Sequence, residues 1–134
     1  TGFGLSVALS SDGSRALAGG TTEGTKALLR TGASWFDDGT LVSEAADVAV
    51  ALSGAGDRAI LATAGESALL FGRSGTAWSD PSVFLVATDH LAGDRFGSAV
   101  AISADGRWAI VGAPYDDTPR GSDAGSARIF SLGP

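Results

Sequence analysis

The sequence predicts an all-β fold built from three antiparallel meanders, and three observations predict it. A segment recurs along the chain, each copy alternates apolar and small side chains with period two, and each copy is broken by a turn of hairpin type. Val7, Val50 and Val100 head matching segments spaced 43 and 50 residues apart. FGLSVALSSDGSRALAGG from Phe3 and FGSAVAISADGRWAIVGA from Phe96 agree at 9 of 18 positions without a gap. The middle copy, ADVAVALSGAGDRAILAT from Ala46, keeps the pattern without the Phe-Gly pair.

The leading strand of each copy divides its side chains between two faces, because successive residues of a strand point to opposite sides. Phe3, Leu5, Val7 and Leu9 share one face, opposite Gly4, Ser6, Ala8 and Ser10. Val48, Val50 and Leu52 repeat the division, as do Phe96, Val100 and Ile102. Both faces are apolar or very small, which suits an inner strand packed between two neighbouring sheets. Gly-punctuated strands repeating every 40 to 50 residues belong to the propeller class.

The turn that follows is Ser11-Asp12-Gly13-Ser14, Gly54-Ala55-Gly56-Asp57 or Ala104-Asp105-Gly106-Arg107. Asp-Gly accepts the positive φ of a two-residue hairpin, so second strands are expected at 15–19, 58–62 and 107–112. Third strands are expected at 26–30, 67–71 and 126–130. In the first two units a Gly-containing turn ends in Trp35 or Trp78, and fourth strands follow near 40–44 and 82–87. After Phe130 only Ser131-Leu132-Gly133-Pro134 remains. The third meander therefore lacks its outer strand, and as a single chain the ring is incomplete. The expected organisation is one domain, 1–134, of three blades at approximately 1–45, 46–93 and 94–134.

A chain of 134 residues with 44% hydrophobic side chains can bury a real core. Net charge is −6 with pI near 4.4, and the nine cations are scattered singly, which argues against nucleic-acid binding. No apolar run approaches the roughly 20 residues of a membrane-spanning helix, so no membrane insertion is expected. Cysteine is absent, which removes disulfides, thiolate metal sites and thiol catalysis. The chain starts at Thr1 without Met, as a processed or excised segment would. The absence of Met, Asn and Gln, with Arg outnumbering Lys eight to one, reads as nucleotide-composition bias.

Candidate chemistry is sparse. The loop from Pro114 to Asp123 has the highest carboxylate density, so Asp116, Asp117 and Asp123 are the candidate ligands for a cation such as Ca²⁺. The plainer reading is a solvated loop whose Asp and Ser side chains bond nearby backbone. The loops at 21–25 and 64–66 carry one Glu each and offer no repeated site. Trp35, Trp78 and Trp108 are candidates for stacking on a glycan or an aromatic partner, although two of them recur at one repeat position, as blade-edge packing would require. His90 lies between the second and third units with no partner to orient it as a general base. Asp37-Asp38 is not an acid pair, since adjacent strand residues diverge and in a turn both face solvent. No GxSxG, SxxK, HExxH, GxGxxG or P-loop pattern occurs, so no enzymatic activity is expected.

The stretch from Asp94 to Phe130 combines Phe96-Gly97, an alternating strand, the Asp105-Gly106 turn and a second strand ending in Gly112-Ala113-Pro114. It resembles one FG-GAP repeat, the blade unit of integrin-α-type β-propellers. The resemblance is strong over 94–130, good over 1–35, where Phe3-Gly4 and Asp12-Gly13 match, and degenerate over 46–78. GRSGTAW at 72–78 and AGDRFG at 92–97 are similar to linkers between such units in extracellular bacterial proteins.

The resemblance implies a non-enzymatic recognition or scaffold module in an extracellular or cell-surface setting. It implies Phe as inter-blade filler and Gly as the site of close backbone approach. Integrin-type blades often hold Ca²⁺ through a DxDxDG-like series, but each turn here supplies at most one matching carboxylate, Asp12 or Asp105, so these two are read as turn formers. The expected partners are other copies of the chain, or further blades of a parent protein, closing a ring or extending a fibre; the alternative is a carbohydrate- or ligand-binding propeller.

Overall fold

The computed structural model describes residues 2–20, 24–42, 49–63, 67–79, 81–89, 91 and 93–133. His90 and the loops at 21–23 and 64–66 lie outside them. Among the described residues there is no helix, and three antiparallel sheets account for every strand. Sheet 1 runs β1 (Ser6–Leu9), β2 (Arg15–Gly20), β3 (Gly24–Thr31) and β4 (Ser34–Val42). Sheet 2 has β5 (Ala49–Leu52), β6 (Arg58–Thr63) and β7 (Ser67–Ser74), with β8 (Ala77–Trp78) and β9 (Val83–Leu85) both pairing with β7. Sheet 3 is β10 (Ala99–Ile102), β11 (Trp108–Ala113) and β12 (Ser126–Ser131).

The meander order and the hairpin register follow the repeat. Val7 pairs with Ala18, Val50 with Leu61 and Val100 with Val111, the same offset each time. Two departures have local causes. The Trp turns are tighter than expected, so Trp35 and Trp78 lie on strands, paired with Arg30 and Arg73. The outer strand of sheet 2 is split around Pro81, which has no N–H to give the ladder. The backbone re-enters register when Ser82 N–H bonds the Leu70 carbonyl at 2.8 Å.

The sheets stack face to face, with sheet 2 in the middle. Val50, Leu52, Leu61 and Phe71 pack on Leu17 and Ala27 of sheet 1. The opposite face, with Ala51, Ile60 and Leu70, packs on Phe96, Ala109 and Val111 of sheet 3. Consequently Ala59, Ile60, Leu61 and Ala62 are all at 0% exposure. The two ends of the stack are uncovered. On sheet 1, Leu5, Val7 and Leu9 are 62%, 69% and 63% exposed; on sheet 3, Trp108, Ile110 and Ile129 are 53%, 41% and 70% exposed. The expectation that both faces of every inner strand are covered holds for sheet 2 alone, because the outer sheets have a neighbour on one side only.

The two Phe-Gly pairs differ for the same reason. Phe96 is 1% exposed and meets the Phe130 ring edge-on at 6.1 Å, filling the space between sheets 2 and 3. Phe3, by contrast, is 46% exposed with the Lys26 ammonium 5.9 Å from its ring centre. Gly4 serves turn conformation and not close approach: its φ is +84°, and an added Cβ would meet nothing within 4 Å. In Gly112-Ala113-Pro114, Gly112 pairs with Ala99, Ala113 is buried at 4% exposure, and Pro114 follows directly after β11.

The stack makes a direct contrast testable. Leu61→Ala is expected to destabilise the chain by about 2–5 kcal/mol, the range for a fully buried leucine, whereas Val7→Ala should change it by roughly 0.5 kcal/mol or less. Urea midpoints of the two variants check this.

Candidate interaction site

The densest set of specific polar contacts lies where one sheet meets the next. At each hairpin a serine at the end of the first strand organises the turn. Ser10 Oγ donates to Asp12 Oδ1 at 2.8 Å and accepts Arg15 N–H at 3.0 Å. Ser103 repeats this with Asp105 at 2.5 Å and Trp108 N–H at 3.1 Å, and Ser53 with Asp57 at 2.8 Å and Arg58 N–H at 3.0 Å. In unit two the carboxylate comes from Asp57, because Ala55 occupies the usual Asp position. Asp12 also accepts from Ser14 N–H and Ser14 Oγ at 2.9 and 2.7 Å.

These contacts, with the Ser14 hydroxyl largest, lower the Asp12 carboxyl to about 2 from its usual 3.8. Asp105 is also lowered, mainly by the Ser103 hydroxyl. Such geometry is that of a turn former.

The turns are also joined from sheet to sheet. Ser11 N–H donates to the Gly54 carbonyl and Gly54 N–H to the Ala104 carbonyl, both at 2.9 Å. Arg15, at the head of β2, crosses to the Ala55 carbonyl at 3.0 Å and the Gly56 carbonyl at 3.5 Å. Arg58, at the head of β6, crosses to the Gly106 carbonyl at 2.9 Å and the Gly133 carbonyl at 3.2 Å. In each arginine the same terminal nitrogen, Nη1, makes both contacts, carried to the neighbouring turn by the long stem.

An ion pair joins the outer strand of sheet 1 to the third strand of sheet 2. Arg73 on β7 holds Asp38 on β4 through Nε to Oδ2 at 2.9 Å and Nη2 to Oδ1 at 3.0 Å, and the Trp78 indole N–H donates to the same carboxylate at 3.3 Å. The two ionic side chains are only 6% and 10% exposed. This corrects the expectation that both Asp37 and Asp38 face solvent. The two lie on a strand and diverge, so Asp37 is exposed and accepts Gly39 N–H at 2.8 Å, while Asp38 turns toward sheet 2.

The other candidates come out separately. Trp35 and Trp78 hold equivalent positions on neighbouring sheets; Trp35 is exposed, and Trp78 packs against the core between sheets 1 and 2. Trp108 lines a shallow cavity of about 350 Å³ with Arg107, Ser131 and Gly133. In the acidic loop, Asp116 is buried and accepts the Ser126 hydroxyl, and Asp117 accepts Asp123 N–H at 2.8 Å. The three carboxylates do not converge, and among the described residues no group of three or more potential metal ligands does. The loop carboxylates instead bond their own backbone and neighbouring hydroxyls.

Sequence reasoning missed the crossing arginines. Their signal was the recurrence of Arg one residue after each Gly-Ser or Gly-Asp turn in the first two units, and its replacement by Trp108 in the third.

Residues 82–130 match the family model of the FG-GAP repeat, so that stretch is identified as one such repeat. It begins before β9 and ends within β12, so the sequence repeat straddles two sheets. No curated protein matches the chain. Among solved structures, the chain is similar to a hydrazine synthase chain from Kuenenia stuttgartiensis, with TM-score 0.62 and 15% identity over 95% of this chain. The chain spans 32% of that protein chain, and the likeness is one of fold.

Two outcomes test the site. Asp38→Ala strands a buried guanidinium and is expected to cost about 3–5 kcal/mol by chemical denaturation, against little change for Asp37→Ala. The depressed Asp12 group stabilises the fold fully above about 3.8, and that contribution disappears as pH falls through about 2. A carboxyl NMR titration should place the Asp12 midpoint near 2, and Ser14→Ala should move it upward.

Proposed function

We propose that the chain is a non-enzymatic interaction module of β-propeller type, completed by association with blades of other chains on its two open faces. The single observation that carries this is the repeat equivalence of those faces to surfaces already buried inside the molecule. Val7 and Leu9, exposed on sheet 1, correspond to Val50 and Leu52, which sheet 1 itself covers. Ile110, exposed on sheet 3, corresponds to Ile60, which sheet 3 covers. Apolar sheet faces of this kind bind other sheets or aggregate. A contact joining a front face to a back face is heterologous, so it closes into a ring or runs on as a fibre. The FG-GAP repeat at 82–130 supports the propeller reading, and the family setting it suggests is the cell exterior or surface.

Sedimentation of the chain over rising concentration is expected to show mass increasing in multiples of 13.3 kDa. Val7→Asp, which places a charge on the open front, should reduce it. A compact monomer at every concentration, indifferent to Val7→Asp, overturns the proposal.

A second reading, a carbohydrate-binding propeller, is favoured by the exposed Trp108 beside its cavity. A glycan array without hits, unchanged by added Ca²⁺, removes it.

A further inference from the structure

We infer that the turn Ser11-Asp12-Gly13-Ser14, together with Arg30, is a docking seat for an incoming blade that carries an arginine at the head of its second strand and a carboxylate on its outer strand. The inference rests on the reading of the open faces as blade-binding surfaces and specifies which blade the front accepts.

The two internal interfaces show what a filled seat looks like. Arg15 lies so close over Gly56 that a Cβ added to the glycine would sit 2.8 Å from the arginine Cδ. Arg58 lies over Gly106 in the same way, at 2.9 Å. In both cases the guanidinium bonds the carbonyl of the glycine beneath it. Gly13 is the third equivalent residue, with φ +67° like its counterparts at +72° and +73°, and an added Cβ there would meet nothing within 4 Å. Its carbonyl is held instead by Arg30 Nε of the same sheet, at 2.9 Å.

Arg30 is the repeat equivalent of Arg73. With a sheet in front of it, Arg73 reaches forward to the Asp38 carboxylate of that sheet. Arg30 has no described sheet in front and folds back onto Gly13. An incoming blade that supplies an arginine for the Gly13 carbonyl and a carboxylate for Arg30 reproduces both internal contacts at once.

The back of sheet 3 is not that blade. Where sheets 1 and 2 have Arg15 and Arg58, sheet 3 has Trp108. In the turn column, Gly54 sits between Ser11 and Ala104, and a Cβ on it would lie 2.8 Å from Ser11 Oγ and 2.9 Å from the Ala104 carbonyl oxygen. Each internal contact thus has a glycine on one side. A copy stacked in the same register would set Ala104 against Ser11, with no glycine on either. Head-to-tail stacking of identical copies therefore draws on the apolar faces without the arginine clasp.

Sedimentation of Trp108→Arg tests the seat by making the chain its own partner. One charge-assisted hydrogen bond across the contact should tighten self-association about tenfold over wild type. Trp108→Lys, whose ammonium sits on a shorter stem and is more strongly hydrated than a guanidinium, should fall well short. Gly13→Asn keeps a residue that tolerates positive φ but puts a side chain in the seat, and in the Trp108→Arg background it should cancel the gain. No gain with Trp108→Arg, an equal gain with Trp108→Lys, or a gain that survives Gly13→Asn each overturns the inference. If Val7→Asp still weakens the wild-type association in those cases, the seat alone is wrong; if Val7→Asp has no effect, the reading of the open faces falls with it. Far-UV circular dichroism of each variant confirms that folded chains are compared.

Discussion

The constraint on which the rest of the structure depends is the burial of the middle sheet on both faces. A sheet covered on one side alternates apolar and polar residues, whereas one covered on two sides must be apolar throughout. Arg58-Ala59-Ile60-Leu61-Ala62 is such a run, and its four apolar members have no exposed surface. Large and small residues alternate along each face: Ala59 with Leu61 toward sheet 1, Ile60 with Ala62 toward sheet 3. This lets facing sheets interdigitate at the roughly 10 Å spacing of packed sheets. Each outer sheet keeps the same pattern with only one side filled. The apolar ends of the stack follow from the repeat itself, since a sequence written for two-sided burial has been folded with a neighbour on one side.

What could be read from the sequence was whatever had period two or period about 45. The strands, the turns and the hairpin register all recur locally, so Val7, Val50 and Val100 found their partners at a constant offset. What could not be read was set between units. Asp38 and Arg73 are 35 residues apart, and nothing in Phe36-Asp37-Asp38-Gly39 announces that one carboxylate is buried and the other exposed. The choice is made by the β3–β4 hairpin register, which pairs Asp37 with Leu28 on the face away from sheet 2 and so turns the next residue, Asp38, toward it. The different burial of Phe3 and Phe96 was equally invisible, since it depends on whether a sheet lies in front and not on the Phe-Gly motif. For the candidate site, the turn residues were legible as turns, but not as sheet-to-sheet contacts.

The contacts between sheets also explain how an acidic chain uses its few cations. Arg15 and Arg58 cross to carbonyl oxygens of the next turn, and Arg73 crosses to a carboxylate. Carbonyl acceptors at a turn are fixed by backbone geometry and need no complementary residue in the neighbouring unit. A crossing arginine can therefore serve any turn of the right shape, provided the turn has a glycine where the stem lies down. The Arg73–Asp38 pair is different in kind, because it requires a particular residue on the preceding outer strand. One contact gives general adhesion between repeats, and the other distinguishes among them.

That difference bears on how an order of blades is maintained. Three identical repeats would stack in any sequence, since every front would fit every back. Here the inner strands are nearly interchangeable, Val-Ala-Leu, Val-Ala-Leu and Val-Ala-Ile, while the turn column reads Ser11, Gly54, Ala104 and the crossing column reads Arg15, Arg58, Trp108. The divergence is concentrated where side chains pass from one sheet to the next and is least where each strand pairs within its own sheet. A specific interface needs mismatches against wrong partners as much as fit to the right one. Trp108 in place of a crossing arginine and Ala104 in place of Gly54 fall at the two positions through which neighbouring sheets touch within the chain. Within the chain the apolar faces supply the area over which sheets stack, and the turn residues supply the contacts that differ from one interface to the next.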